Sequence, residues 1–196
     1  ADKKKKVITI TSSIGGEGKT FTAMNLAAIF AIAKYKTIII GADLRKPKLH
    51  EDFKIDQTKG LSSYLINKSS LPDVIEKTKL KHLDVIGSGP IPPNPAELLD
   101  SVKMKKLITE LNKTYDYVII DTPPIGLVTD GVIIMQQADV NLYLIRHGYS
   151  KTKTLNIINN LYTQKQVKNL QIIINDFKHN ASGYGYGYGY GYGYGY

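Results

Sequence analysis

The chain has no cysteine, an absence that excludes a disulfide framework, a thiolate metal site, an iron–sulfur cluster and a cysteine nucleophile. The lack fits a reducing compartment. Long apolar runs are missing too, because lysine breaks each of them well short of the roughly 20 residues that cross a bilayer. The chain is therefore expected to be soluble. It carries no signal-peptide pattern, and a start at Ala1 rather than Met reads as a piece of a longer protein, whose other part could be membrane-embedded. Histidines number only 4, and His50, His82, His147 and His179 show no ligand spacing. Acidic residues are outnumbered, 17 Asp plus Glu against 26 Lys plus Arg, for a formal net charge of +9. That balance suits nucleotide, nucleic acid or an acidic membrane face and says nothing of the fold. What is present is 196 residues, 42% hydrophobic and 22% charged, enough for one ordinary core.

Short β-branched runs recur along the chain at Val7–Ile10, Thr37–Ile40, Leu83–Ile86, Tyr117–Ile120, Asn141–Ile145 and Gln171–Ile174. Helix-length segments lie between them: Lys19 to about Lys34, Ala96 to Asn112, Thr129 to Gln136 and Thr152 to Gln164. Apolar strands alternating with helices predict an α/β fold, a mostly parallel sheet covered by helices on both faces. The expected domain runs over residues 1–182. Residues 183–196 are a strict Gly-Tyr alternation with seven of the chain's 14 tyrosines, Tyr184, Tyr186, Tyr188, Tyr190, Tyr192, Tyr194 and Tyr196. Glycine at every second position makes ordering costly and leaves little to pack, so this is read as a disordered aromatic tail; an aggregation-prone end or an engineered addition are the alternatives.

The first loop, Ser12-Ser13-Ile14-Gly15-Gly16-Glu17-Gly18-Lys19-Thr20, lies between a strand and a helix, as a phosphate loop must. Glycines let successive N–H groups face one anion at the positive end of a helix, Lys19 reaches the β- and γ-phosphates, and Thr20 can ligate Mg²⁺. The expected nucleotide-binding stretch is Gly15, Gly16, Glu17, Gly18, Lys19, Thr20 and Phe21. Ser13 stands where the usual spacing puts its first glycine, which makes the loop a deviant form of the Walker A motif. Asp121 follows a buried strand in the Walker B position, at the sheet edge where open α/β folds bind ligands. Asp43 lies beyond another strand end. Each aspartate alone could be a cap or turn residue; with Lys19 and Thr20 they outline an Mg-nucleotide site, with Thr20, Asp43 and Asp121 as the metal-holding set. Asn175, ending the last strand, could hydrogen-bond the nucleobase or simply serve a turn. Arg45 and Arg146 stand near strand ends, where they could meet phosphate or a neighbouring subunit or be surface residues.

These motifs resemble the cytoplasmic kinase domain of bacterial tyrosine kinases of the polysaccharide co-polymerase type, which serve capsule and exopolysaccharide production. The resemblance rests on Gly15-Gly16-Glu17-Gly18-Lys19-Thr20, on Ala42-Asp43-Leu44-Arg45-Lys46-Pro47, on Gly89 to Leu99 with its Pro-Pro-Asn-Pro-Ala-Glu-Leu-Leu string, on Asp121-Thr122-Pro123-Pro124 and on the terminal tyrosines. Partition and septum-placement ATPases are similar in fold but carry a lysine where this chain has Ile14, and the nitrogenase iron proteins need cysteines. Two departures stand out: Gly41 occupies the place of the family's first aspartate in the second acidic motif, and only six residues stand ahead of Val7, where family members carry a helix that helps close a ring, so ring assembly is not expected of this stretch by itself.

The resemblance implies ATP and Mg²⁺ as cofactors and a location on the cytoplasmic side of the bacterial inner membrane, beside a membrane co-polymerase or activator. It also implies homo-oligomerisation. Lys19, Asp43 and Asp121 would be catalytic, with Asp43 taking the proton of a tyrosine in a neighbouring subunit's tail. Seven phosphates at about −1.5 to −2 each would outweigh the charge of +9 and favour monomers. The run Lys3-Lys4-Lys5-Lys6 is either a solvated domain edge or a segment drawn to anionic lipid. No recognition-helix or aromatic-platform pattern supports nucleic-acid binding. A plain ATPase switch and an idle assembly module are the rival functions.

Overall fold

The structure, a computed structural model, describes residues 6–126 and 130–178. The Gly-Tyr segment, Lys3 to Lys5 and Thr129 lie outside the described residues.

Seven strands form one sheet in the order β3-β4-β2-β5-β1-β6-β7. In chain order they are β1 (Lys6–Ser12), β2 (Thr37–Gly41), β3 (Glu76–Lys77), β4 (Leu83–Ile86), β5 (Tyr117–Asp121), β6 (Val140–Arg146) and β7 (Leu170–Asn175). All pairings are parallel except β3 with β4 at one edge. Parallel strands need crossovers, and the main ones are α1 (Lys19–Ile32), the pair α5 (Pro95–Asp100) and α6 (Val102–Thr114), α7 (Asp130–Met135) and α8 (Lys153–Thr163). The central strands are apolar on both sides because both sides are covered. Ile38, Ile40, Val118 and Ile120 join one core with Met104, Leu107 and Leu111 of α6. Ile39 and Ile119 face the other way, into a core with Ala23, Ala27 and Ala31 of α1. Those alanines recur every fourth residue, a small-residue stripe that seats α1 close against the sheet.

The predicted fold class and all six predicted strands are present, each within two residues of the expected ends. The helix expected over Ala96–Asn112 is instead two helices. Ser101 breaks it by adopting extended geometry, accepting the Met104 N–H at 3.1 Å and donating to the Leu98 carbonyl at 2.7 Å. The residues between β2 and β4 hold elements that the sequence pattern did not reveal: α2 (Leu49–Phe53), α3 (Leu61–Leu65), α4 (Leu71–Val74) and β3. Pieces of two to five residues are too short to display a helical or strand period.

Candidate nucleotide and phosphotransfer site

The strand order sets the site. β1 lies between β5 and β6, so the loop that follows it runs between the turns after those two strands. On the β5 side, Ile125 and Gly126 donate backbone N–H groups to the carbonyls of Ser12 and Ser13, both at 2.9 Å. A Cβ at Gly126 would stand 2.4 Å from the Ser13 carbonyl, so only glycine lets the two backbones approach this closely. Ser13, in the place of the usual glycine, shares a 2.7 Å hydrogen bond with the Tyr143 hydroxyl. Burial pushes that phenol up to about 12.

On the β6 and β7 side, consecutive loop carbonyls are each held by a side chain. Tyr149 Oη donates to Gly15 O at 3.0 Å, Arg146 Nη1 to Gly16 O at 2.9 Å and Asn175 Nδ2 to Glu17 O at 3.0 Å. Carbonyls fixed on one side leave the loop N–H groups to face the other. The conformation requires left-handed backbone at Gly16 and Gly18, with φ of 84° and 97°. A Cβ at Gly18 would also lie 2.3 Å from Asn175 Nδ2. Glu17 is fully buried and turned inward: its carboxylate accepts the Ile14 N–H at 2.9 Å and a short hydrogen bond from the Ser150 hydroxyl.

Gly18 caps α1, and Lys19 and Thr20 form its first turn at the helix's positive end. Thr20 Oγ1 donates to Asp121 Oδ2 at 2.7 Å, tying the start of α1 to the end of β5. Asp121 Oδ1 is buried without a hydrogen-bond partner. Burial raises the Asp121 carboxyl to about 7, against the opposing pull of Thr20 and the Lys19 charge. Burial likewise lowers the Lys19 ammonium, which Asp121, Asp43 and Glu17 partly offset. Asp43 is held differently: its Oδ1 accepts the N–H groups of Arg45 and Lys46, at 3.2 and 3.0 Å, while among the described residues no hydrogen bond reaches Oδ2.

Above these groups opens a cleft of about 580 Å³, lined by Gly15, Gly16, Gly18, Lys19, Thr20 and Phe21 on one wall and by Asp43, Arg45, Lys46, Lys48, Pro123, Pro124 and Tyr149 around it. The structure thus brings Lys19, Thr20, Asp43 and Asp121 together as the motifs implied. Asp121 sits beneath Thr20, and Asn175 gives its amide to the loop. Arg45, read as meeting phosphate, a neighbouring subunit or only the surface, forks onto the buried carboxylate of Asp130, Nε at 2.7 Å and Nη2 at 3.3 Å. At Gly41 a Cβ would stand 2.7 Å from Ser88 Oγ, which donates to the Gly41 carbonyl, so Ser88 crowds the space where a side chain at this position would begin. Sequence reading passed over Tyr149, Ser150 and the loop-holding role of Arg146. Their position at or just past the end of β6, next to β1, was the available signal.

The buried, orphaned oxygen of Asp121 beside the Thr20 hydroxyl is what a metal-holding pair in a phosphate-loop protein looks like. Fold and site together define a P-loop nucleotide-binding domain of the deviant Walker A kind. A family model described as an AAA domain matches residues 5–174. The chain is 44% identical over 186 residues to the tyrosine-protein kinase YwqD of Bacillus subtilis, covering 93% of this chain and 78% of that protein. It is 42% identical over 181 residues to the tyrosine-protein kinase ptk of Acinetobacter johnsonii, covering 92% of this chain but 25% of that one. The solved structure of the kinase domain of the Escherichia coli tyrosine kinase ETK superposes with a TM-score of 0.86 at 34% identity, over 97% of this chain and 75% of that one. The chain belongs to the family of bacterial tyrosine-protein kinases.

Proposed function

We propose that the chain transfers the γ-phosphoryl group of ATP to tyrosines of its own C-terminal cluster, Tyr184 to Tyr196, in a neighbouring copy. The reading is carried by one observation, the Thr20–Asp121 hydrogen bond at 2.7 Å with the second Asp121 oxygen buried and unpartnered beneath the cleft. Thr20 and Asp121 would hold Mg²⁺, directly or through water, and the metal supplies positive charge to the β- and γ-phosphates. The loop N–H groups and Lys19 stabilise the same oxygens. Asp43 orients the phenol and takes its proton through the open Oδ2 as the tyrosine oxygen bonds to phosphorus. The bond from phosphorus to the β,γ-bridging oxygen breaks, and ADP leaves with that electron pair. A free tyrosine ionises near 10, so a base beside it matters at neutral pH.

Fourteen residues extended span at most roughly 45–50 Å, enough to reach an adjacent active site. The family resemblance supports a homo-oligomer that works at the cytoplasmic face of the bacterial inner membrane, next to a membrane co-polymerase or activator, in capsule or exopolysaccharide production. The test is intact mass before and after incubation with Mg-ATP, alongside Lys19→Met. Steps of one phosphate each, located to Tyr184 through Tyr196 and absent from the variant, are the expected result. Phosphate release without phosphotyrosine would assign the chain to ATPase switches instead.

A further inference from the structure

The phosphate loop occupies one edge of the sheet; the opposite edge, where the parallel strands begin, has a different chemistry. Lys6 opens β1, Lys34 and Lys36 lie in the turn before β2, Lys79 and Lys81 before β4, and Lys165 and Lys168 before β7. The strand register places these turns side by side: Thr37 N–H bonds to His82 O, Lys6 N–H to Asp116 O, and the Asn169 side chain to Asp139 O. All of these lysines but Lys6, which is half-buried, are exposed. The six parallel strands, at roughly 4.8 Å spacing, spread them over roughly 24 Å.

The carboxylates near this edge are turned to other partners. Asp116 Oδ2 accepts the Lys36 N–H at 2.8 Å, Asp139 Oδ2 accepts the Val7 N–H at 2.8 Å, and Asp84 is buried against Lys77 and the Tyr115 hydroxyl, each at 2.7 Å. Lys36, Lys81 and His82, with the ion pair of Lys77 and Asp84, line a recess of about 340 Å³ in the same edge. At the end of α1, just ahead of the turn that holds Lys34 and Lys36, Ile32 is 68% exposed.

We infer that this strand-start edge is a docking surface for an anionic membrane, with its lysines set over acidic phospholipid headgroups and Ile32 entering the interface. The occupant follows from the kind of charge. Both arginines of the chain, Arg45 and Arg146, lie at the opposite edge and hold protein groups there. The docking edge therefore has no guanidinium fork with which to read bases or clamp a single phosphate. Spread lysines beside an exposed apolar side chain suit the diffuse field of a charged bilayer, worth about 1 kcal/mol per lysine near the surface. Docked this way, the phosphate loop points away from the membrane and stays open to nucleotide.

The test is flotation of the full chain with vesicles of phosphatidylcholine containing about 30% phosphatidylglycerol, at about 50 mM salt, where surface charge is weakly screened. Lys19→Met is run alongside, so failed docking and failed catalysis are read separately. Binding to these vesicles but not to pure phosphatidylcholine is expected. The triple variant Lys34→Glu, Lys79→Glu and Lys81→Glu should weaken it by at least roughly 100-fold. Reversing Lys54, Lys59 and Lys68, which follow α2 and α3, changes net charge equally and should leave binding near wild type. No binding by the wild type, equal loss in both triples, or tighter binding to a short DNA duplex at the same salt would each overturn the inference.

Discussion

Arg146, the last residue of β6, donates through Nη1 to the Gly16 carbonyl at 2.9 Å and through Nε to Asp176 at 3.2 Å. One guanidinium thus links the phosphate loop to the residue that follows β7. Its stack over the Tyr149 ring, 5.2 Å to the centroid, brings in the second loop-holding side chain. Arg146→Ala removes the bond that turns Gly16 away from the cleft, without emptying any core. The expected outcome is a rise of about 5–10-fold in the KM for ATP, from about 1–1.5 kcal/mol of lost orientation, with little change in melting temperature. Steady-state kinetics beside a thermal melt checks it.

The second prediction concerns pH. Folded Asp121 keeps its proton up to about 7, whereas in the unfolded chain it releases it near 3.8. Between those values the folded state binds more protons, so this group makes stability fall as pH rises through the window and level off above it. Asp56 and Asp73, whose pKa values are lowered by hydrogen bonds from Thr58 and Ser70, add stability that is lost only as pH falls below about 4. Without nucleotide, the urea midpoint should therefore be higher at about pH 5 than at about pH 7.5. Asp121→Asn should flatten that difference while abolishing phosphotransfer; a wild-type midpoint that rises with pH contradicts the assignment.

Glu17 makes the third case, because its carboxylate is buried between two donors, Ile14 N–H and the Ser150 hydroxyl. Glu17→Ala leaves both without a partner and opens a void under the loop. A loss of about 2–4 kcal/mol in denaturant unfolding is expected, with Ser150→Ala costing about 1 kcal/mol.

Lys19→Met provides the fourth. The substitution keeps the volume, removes a charge that burial already disfavours and takes away the cation of the proposed phosphate-binding loop. Tyrosine phosphorylation should fall by about 10²–10³-fold or more while the fold is retained, read by quantitative mass spectrometry and circular dichroism.

The six parallel strands, α1, α8 and the phosphate loop were legible because their signals are local. A β-branched run of Ile38 to Ile40, an alanine every fourth residue in α1, and Gly-Lys-Thr at a strand-to-helix junction each declare themselves within a few residues. Asp121 and Asp43 were found by the same logic, as carboxylates at strand ends. The break at Ser101 was missed because a helix pattern continues across it, and the cap is visible only in the hydrogen bonds of that serine. The short elements between β2 and β4 gave no period to read.

By itself the sequence determined the class of fold, the phosphate loop and its acidic partners, since all are written in contiguous residues whose backbone preferences and spacing act locally. Only the tertiary structure decided what holds that loop and what lies behind it. Arg146, Tyr149 and Ser150 meet Gly15 to Glu17 across more than 125 residues of chain, a contact that exists because β6 pairs with β1. The lysine edge likewise appears only when parallel pairing brings the strand starts into one row. Strand order is a choice among global pairings, set by the packing of whole faces rather than by any one segment.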